Sequence, residues 1–196
     1  MPTSTAQTSL YALAQISNAA YGTPKTLADW LTANHWVQLP PPDGQALKSS
    51  GYVGVAYQNS VTHEIVIANR GTVATSFADL WHDAELTVHR VPPTVPDAIN
   101  FAKQIARDYP SSTVIETGHS LGGYKAQAAL AALVEKGANV VASAVTFQAL
   151  GLSSDLFHHT FVILGPCSRG CVKLFLQRDV LWRASLMRNI GAFRRC

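Results

Sequence analysis

The sequence predicts a three-layer α/β fold: a central, mostly parallel sheet that carries an N-terminal hairpin and is flanked by helices. Three observations predict it. With 196 residues, 47% hydrophobic and 14% charged, the chain can bury one large core without disulfide or metal staples. Runs of period two, rich in β-branched and aromatic residues, alternate with segments of helical period. Proline and glycine punctuate the joins between them. The chain therefore reads as a single domain over 1–196, with an atypical basic tail over 180–196.

In chain order, residues 9 to 20 bring Leu10, Leu13, Ala14, Ser17 and Ala20 near one another at helical spacing, with short side chains that suit close packing on a sheet. A second short helix follows Pro24 and carries Thr26, Leu27, Trp30 and Leu31. Both are expected on the outside of the sheet. The LPPPDG stretch at 39–44 can hold neither a helix nor a central ladder and is expected to be a loop. Tyr52–Gln58 and Glu64–Ala68, separated by Asn59, Ser60 and Thr62, predict a hairpin at the sheet edge. Ala74–Leu86 and Val95–Tyr109 read as helices, the second with Ile99, Ala102, Ile105 and Ala106 on one face and Pro110 as its stop. Ser112–Glu116 is then a strand, Leu121–Glu135 a small-residue helix capped near Gly137, Val140–Phe147 a strand, and Lys173–Leu176 the last strand.

Charge excludes one class of function. The net charge is +3, yet residues 169–196 hold seven Arg or Lys against Asp179 alone, a local +6 that leaves the preceding 168 residues at −3. A nucleic-acid surface needs cations spread over a face, so no nucleic-acid partner is expected. The first twenty residues lack a basic start, and Gln15, Ser17 and Asn18 break their apolar part, which does not fit a secretory signal. No apolar run reaches the eighteen or so residues of a membrane span. A cytoplasmic location is the default expectation, with export by a route that leaves no N-terminal signal as the alternative. Cys167 and Cys171 stand four apart, and with Cys196 they read as free thiols whose pairing would need oxidising surroundings. The sequence has no H-E-x-x-H, zinc-type Cys/His grouping, P-loop or dinucleotide fingerprint, so no metal or cofactor is expected.

The chemistry concentrates at Thr117-Gly118-His119-Ser120-Leu121-Gly122-Gly123, a G-x-S-x-G pattern between a predicted strand and a predicted helix, the context that a nucleophile elbow requires. Ser120 would occupy a strained turn, with Gly118 and Gly122 leaving room for close chain approach. The helix that follows adds the positive end of its dipole, and the Leu121 N–H is placed to face an oxyanion. A second donor is expected from the loop after an earlier strand, and Ile65–Thr72, IVIANRGT, supplies a strand ending in Arg-Gly-Thr.

Together, IVIANRGT at 65–72 and TGHSLGG at 117–123 resemble the class 3 lipase family of α/β-hydrolases. The ATSFADLWHDAEL stretch at 74–86 is similar to the Asp-Trp-containing segment that follows the family's loop. The resemblance covers about residues 50–180. It implies an α/β-hydrolase-like fold, shortened at the C-terminus, and hydrolysis of carboxylic esters of the lipase or phospholipase kind, with a lipid or other small ester as partner. It assigns Ser120 as nucleophile, Thr72 and Leu121 as oxyanion donors, and Arg70 as a structural anchor of the loop beside Gly71. Gly118, His119, Gly122 and Gly123 would shape the elbow, with His119 packing beneath it.

The family's acid lies after a later strand, which Val172–Asp179 resembles with Asp179 as its terminal acid; Asp155 is the runner-up, and Glu135 is a solvated helix end. The superfamily's order then requires a histidine after the acid, and none follows Asp179; Asn189 lies near that place but an amide cannot act as general base. His158 and His159 are the candidate bases by a rearranged loop, while His82, near Asp83, reads as a helix-surface histidine and His35, His63 and His89 carry no signal beyond loop or edge positions. The alternative reading is a lipase-like domain that binds lipid or protein without turnover. In the tail, Trp182, Leu186, Ile190 and Phe193 align at helical spacing beside Arg183 and Arg194, which suits either peripheral membrane contact or an edge helix packed on the domain.

Overall fold

The computed structural model describes residues 8–42, 50–71, 91–135, 142–147, 149, 165–166 and 171–174. Its elements are α1 (Leu10–Ala19), α2 (Lys25–Ala33), β1 (Trp36–Gln38), β2 (Gly54–Asn59), β3 (Ile65–Asn69), α3 (Val95–Asp108), β4 (Val114–His119), α4 (Leu121–Glu135), β5 (Ala142–Phe147), β6 (Gly165–Pro166) and β7 (Cys171–Leu174). The seven strands form one sheet in the order β1-β2-β3-β4-β5-β7-β6.

The sheet is mixed, which corrects the expectation of a mostly parallel one. Among the described residues only β3-β4 and β4-β5 pair parallel; β1-β2, β2-β3, β5-β7 and β6-β7 pair antiparallel. Parallel neighbours need a helical crossover, and α3 and α4 supply those two. The hairpin is not at the sheet edge either, because β1 covers β2, with Trp36 opposite Asn59. The last strand lies at Cys171–Leu174, slightly ahead of the expected Lys173–Leu176. The helix expected over 74–86 lies outside the described residues.

Period two along the strands sorts side chains to opposite faces. Tyr57, Val66, Ala68, Ile115 and Val145 pack with Leu13, Ile16, Ala19 and Ala20 of α1 and its end, and with Leu27 and Leu31 of α2. Ala56, Ile65, Ile67 and Val114 face the other way, onto Ala98, Phe101, Ala102 and Ile105 of α3 and Ala129 and Leu133 of α4. The result is helix, sheet, helix. Each fully buried aliphatic side chain here contributes about 1.5–3 kcal/mol.

Local signals explain the element ends. Ser9 caps α1, its Oγ accepting from the Ala12 N–H at 3.2 Å. The buried stripe of α1 is rotated from the expected one: Ile16 is fully buried, whereas Leu10 is 46% exposed. Leu10 is the first residue of the helix. In the β2–β3 turn the Asn59 side-chain carbonyl accepts from the Val61 and Thr62 amides, both at 3.0 Å. α3 starts with proline in its first turn and ends at Tyr109 before Pro110. Among the described residues no helix is long and apolar enough to cross a membrane.

Candidate functional site

Strand β4 runs to His119 and helix α4 begins at Leu121, so Ser120 alone makes the turn. Its φ is +54°, a left-handed conformation that costs a non-glycine residue about 1–2 kcal/mol. Hydrogen bonds on both sides hold it there. The Ser120 N–H donates to the Phe147 carbonyl at 3.0 Å, and the Ser120 carbonyl accepts from Gly123 at 2.9 Å and Tyr124 at 3.3 Å. Ser120 thus sits at the amino end of a 15-residue helix, where the Leu121 amide has no intrahelical acceptor and the helix dipole favours negative charge.

The glycines around Ser120 are required by backbone-to-backbone contact. A Cβ at Gly118 would collide with the Gly122 carbonyl and come within 2.8 Å of the Gly123 nitrogen. At Gly122 it would meet the Asn69 carbonyl, with the Gly71 nitrogen at 2.9 Å. At Gly71 it would stand 2.6 Å from both the His119 carbonyl oxygen and the Tyr21 hydroxyl. These collisions define the site: the end of β3, Asn69-Arg70-Gly71, lies directly against the elbow. In the sheet Asn69 is paired with Gly118, so parallel register brings both strand ends out at the same edge, where ligands of open α/β sheets bind.

Beneath this junction lies a buried polar group of residues. Tyr52 Oη donates to Asn69 Oδ1 at 2.8 Å, and Asn69 Nδ2 donates to Glu116 Oε2 at 2.7 Å. Glu116 is 0% exposed and its Oε1 has no partner among the described residues. Burial pushes its carboxyl well above the ordinary carboxylate range, opposed by the Asn69 hydrogen bond. Lys125, 4% exposed on α4, donates from Nζ to the Arg70 carbonyl at 2.6 Å and lies 5.7 Å from the Tyr52 ring centroid. Burial, then the nearby Arg70 charge, lowers its pKa to about 8. On the outer side, the Tyr21 hydroxyl accepts the Gly71 N–H at 2.9 Å. Tyr21 also lines an open groove of about 820 Å³ between α1 and α2, together with Tyr11, Thr23 and Trp30.

Of the residues singled out in the sequence, Arg70, Gly71, Gly118, His119, Ser120, Leu121, Gly122 and Gly123 are described and stand together at this edge. Arg70 takes part through its backbone: its N–H donates to the Val53 carbonyl at 3.0 Å and its carbonyl accepts from Lys125. Thr72, Asp155, His158, His159, Asp179 and Asn189 lie outside the described residues, as do Cys167, Cys196 and the tail over 180–196. Among the described residues no group of three His, Cys, Asp or Glu side chains could hold a metal ion. Sequence reasoning did not single out Tyr21, Tyr52, Asn69, Glu116 or Lys125. The one signal for Lys125 was a lone cation within LGGYKAQAALAAL, a stretch of mostly small and apolar residues.

The three-layer sheet, strand-serine-helix turn and adjoining β3 loop define a lipase-like α/β-hydrolase fold. Residues 46–162 match the sequence profile of the Mbeg1-like family, and the chain belongs to that family. Among solved structures it is similar to the Lip2 lipase of Yarrowia lipolytica, at 16% identity and TM-score 0.50, over 71% of this chain and 58% of that one. It is also similar to a lipase from Rhizopus microsporus var. chinensis, at 19% identity and TM-score 0.41, over 70% of this chain and 55% of that one. A third is the native propeptide complex of Rhizomucor miehei lipase, at 12% identity and TM-score 0.45, over 87% of this chain and 74% of that one. The chain thus spans somewhat more than half the length of the first two lipases. These are likenesses of fold. No curated protein matches the chain.

Proposed function

We propose that this chain is a serine ester hydrolase that works through an acyl-enzyme on Ser120. The observation that carries the proposal is Ser120 itself, alone in a left-handed turn between β4 and α4 at φ +54°, with the β3 loop packed against it. A strained backbone retained at a helix amino end lifts a hydroxyl clear of the sheet and places it beside the Leu121 amide, which has no intrahelical acceptor.

In the reaction, Ser120 Oγ bonds to the ester carbonyl carbon while its proton passes to a histidine base, His158 or His159, oriented by Asp179 or Asp155. The carbonyl electrons move onto oxygen and are stabilised by the Leu121 amide and by Thr72. The alkoxy bond then breaks, and the base returns the proton to the departing alcohol. Water repeats the sequence to release the acid and restore Ser120. The solved structures similar in fold are named as lipases, which favours lipid esters as the substrate class.

Labelling the full chain with a serine-directed phosphonate, alongside hydrolysis of short- and medium-chain nitrophenyl esters, tests the proposal. One phosphonate per chain is expected, lost in Ser120→Ala, with ester turnover down by about 10³-fold or more. A wild-type chain that takes no label and releases no product overturns it, leaving a lipase-like module that binds without turnover.

A further inference from the structure

The peptide unit joining Arg70 to Gly71 is held at both of its polar ends by side chains from two other elements. Its carbonyl accepts from Lys125 Nζ at 2.6 Å, and its N–H donates to the Tyr21 hydroxyl at 2.9 Å. Fixing both ends of one planar peptide fixes the plane, and with it the direction in which the chain leaves β3. The same peptide lies against the elbow, since Gly71 admits no Cβ beside the His119 carbonyl and Gly122 stands next to the Gly71 nitrogen.

The two holding residues are not explained by packing alone. Lys125 is 4% exposed on a helix where Leu121, Gly122, Ala128 and Ala129 stand one turn away from it. A buried ammonium is costly, and an aliphatic residue of similar length would bury at less cost. What the lysine adds is a charged donor aimed at one carbonyl, five residues along the chain from Ser120 on the helix that the elbow begins. Tyr21 reaches the peptide from the segment after α1, across the sheet layer. Although Tyr21 is 41% exposed, its hydroxyl takes the Gly71 N–H. The two grips come from opposite sides of the sheet, one buried and one at the surface, and they converge on the unit that precedes Thr72.

We propose that Lys125 and Tyr21 are positioning residues that clamp the Arg70–Gly71 peptide and thereby set the β3 loop against Ser120 for oxyanion stabilisation. The catalytic part rests on Ser120 being a working nucleophile; the clamp itself does not. Because the loop contributes to the transition state more than to binding, loosening it lowers the maximal rate of reaction at Ser120 and leaves half-saturation unchanged.

The test uses the full chain with Tyr21→Phe, Lys125→Met and Lys125→Gln, the last keeping a neutral donor. Amide hydrogen exchange at Gly71, followed by NMR, is expected to accelerate about tenfold in Tyr21→Phe, the order expected for one lost hydrogen bond, with the unfolding midpoint within about 4 °C of wild type. Phosphonate labelling of Ser120 is expected to slow in its maximal rate in Tyr21→Phe and Lys125→Met, with Lys125→Gln restoring part of the rate. Unchanged Gly71 exchange in Tyr21→Phe overturns the clamp. Wild-type labelling rates in both Tyr21→Phe and Lys125→Met overturn its catalytic role. If wild type takes no label, the hydrolase reading fails, and Gly71 exchange still decides the clamp. Should Lys125→Met not fold, Lys125→Gln and Tyr21→Phe carry the same test.

Discussion

The two faces of the sheet are built on different principles. The face under α1 and α2 is apolar almost throughout: Leu13, Ile16, Val66, Ala68, Ile115 and Val145 fill it, and the Thr117 hydroxyl is satisfied by the Val145 carbonyl at 2.8 Å. The face under α3 and α4 has an apolar half around Ile65, Ile67, Phe101 and Ile105. Toward the carboxyl ends of β3 and β4, however, it buries Tyr52, Asn69, Glu116 and Lys125. Such groups are costly to bury, and they lie beneath the one edge where two loops must be held in register. The first face supplies stability and, through Tyr21 after α1, one grip on the β3 loop; the second gives up some stability to fix the geometry of the site.

Breaking either face should cost stability on the same scale, and only breaking the polar face should reach the site. Ile16→Ala, at a fully buried position, is expected to lower unfolding free energy by about 2–5 kcal/mol, while labelling of Ser120 below the new midpoint stays near the wild-type rate. Denaturant unfolding and phosphonate labelling on the same preparation check both parts. On the other face, Asn69→Leu removes the partner of both Tyr52 Oη and Glu116 Oε2. The expected loss is of similar size, about 2–6 kcal/mol for two buried groups left without a partner, and labelling should slow as well, because Asn69 adjoins the Arg70–Gly71 peptide. If Ile16→Ala slowed labelling and Asn69→Leu left it alone, the division between the faces would not stand.

The elbow was legible because its chemistry is local. TGHSLGG requires small residues where strand, turn and helix touch, and that pattern survives in one stretch of sequence. Helix α3 was legible from its periodicity, and α4 from its run of small residues. Strand β1 was not: Trp36–Gln38 is three residues long, too short for an alternation, and it exists because β2 offers an edge. Strand direction on the β5–β7 side was equally hidden, since neither chain polarity nor the β6–β7 pairing is written in Cys171–Leu174. The buried network was hidden by residue type. Glutamate and lysine ordinarily mark a solvated surface, and only the tertiary placement of Glu116 beside Asn69, and of Lys125 over Tyr52, turns them into interior groups.

The smallest effect expected at acidic pH belongs to Glu116→Gln, and its growth with pH sharpens the comparison most. Burial raises the folded-state pKa of Glu116 well above its ordinary 4.5, so the folded protein favours the neutral acid. Its contribution to stability is complete below that ordinary value, and it is lost as pH rises from there through the folded-state value, because the unfolded chain ionises first. Glutamine keeps the shape and the acceptor for Asn69 but cannot ionise. The variant should therefore match wild type within about 0.5 kcal/mol near pH 4 and exceed it increasingly toward pH 8. Lys125 acts in a separate window: with a pKa lowered to about 8 from 10.5, it makes stability rise with pH between those two values. Denaturant midpoints of wild type and Glu116→Gln measured from pH 4 to 8 isolate the carboxyl. Parallel curves would mean that Glu116 is ionised and solvated in the folded state, and the polar face would then hold its loops without a buried neutral acid.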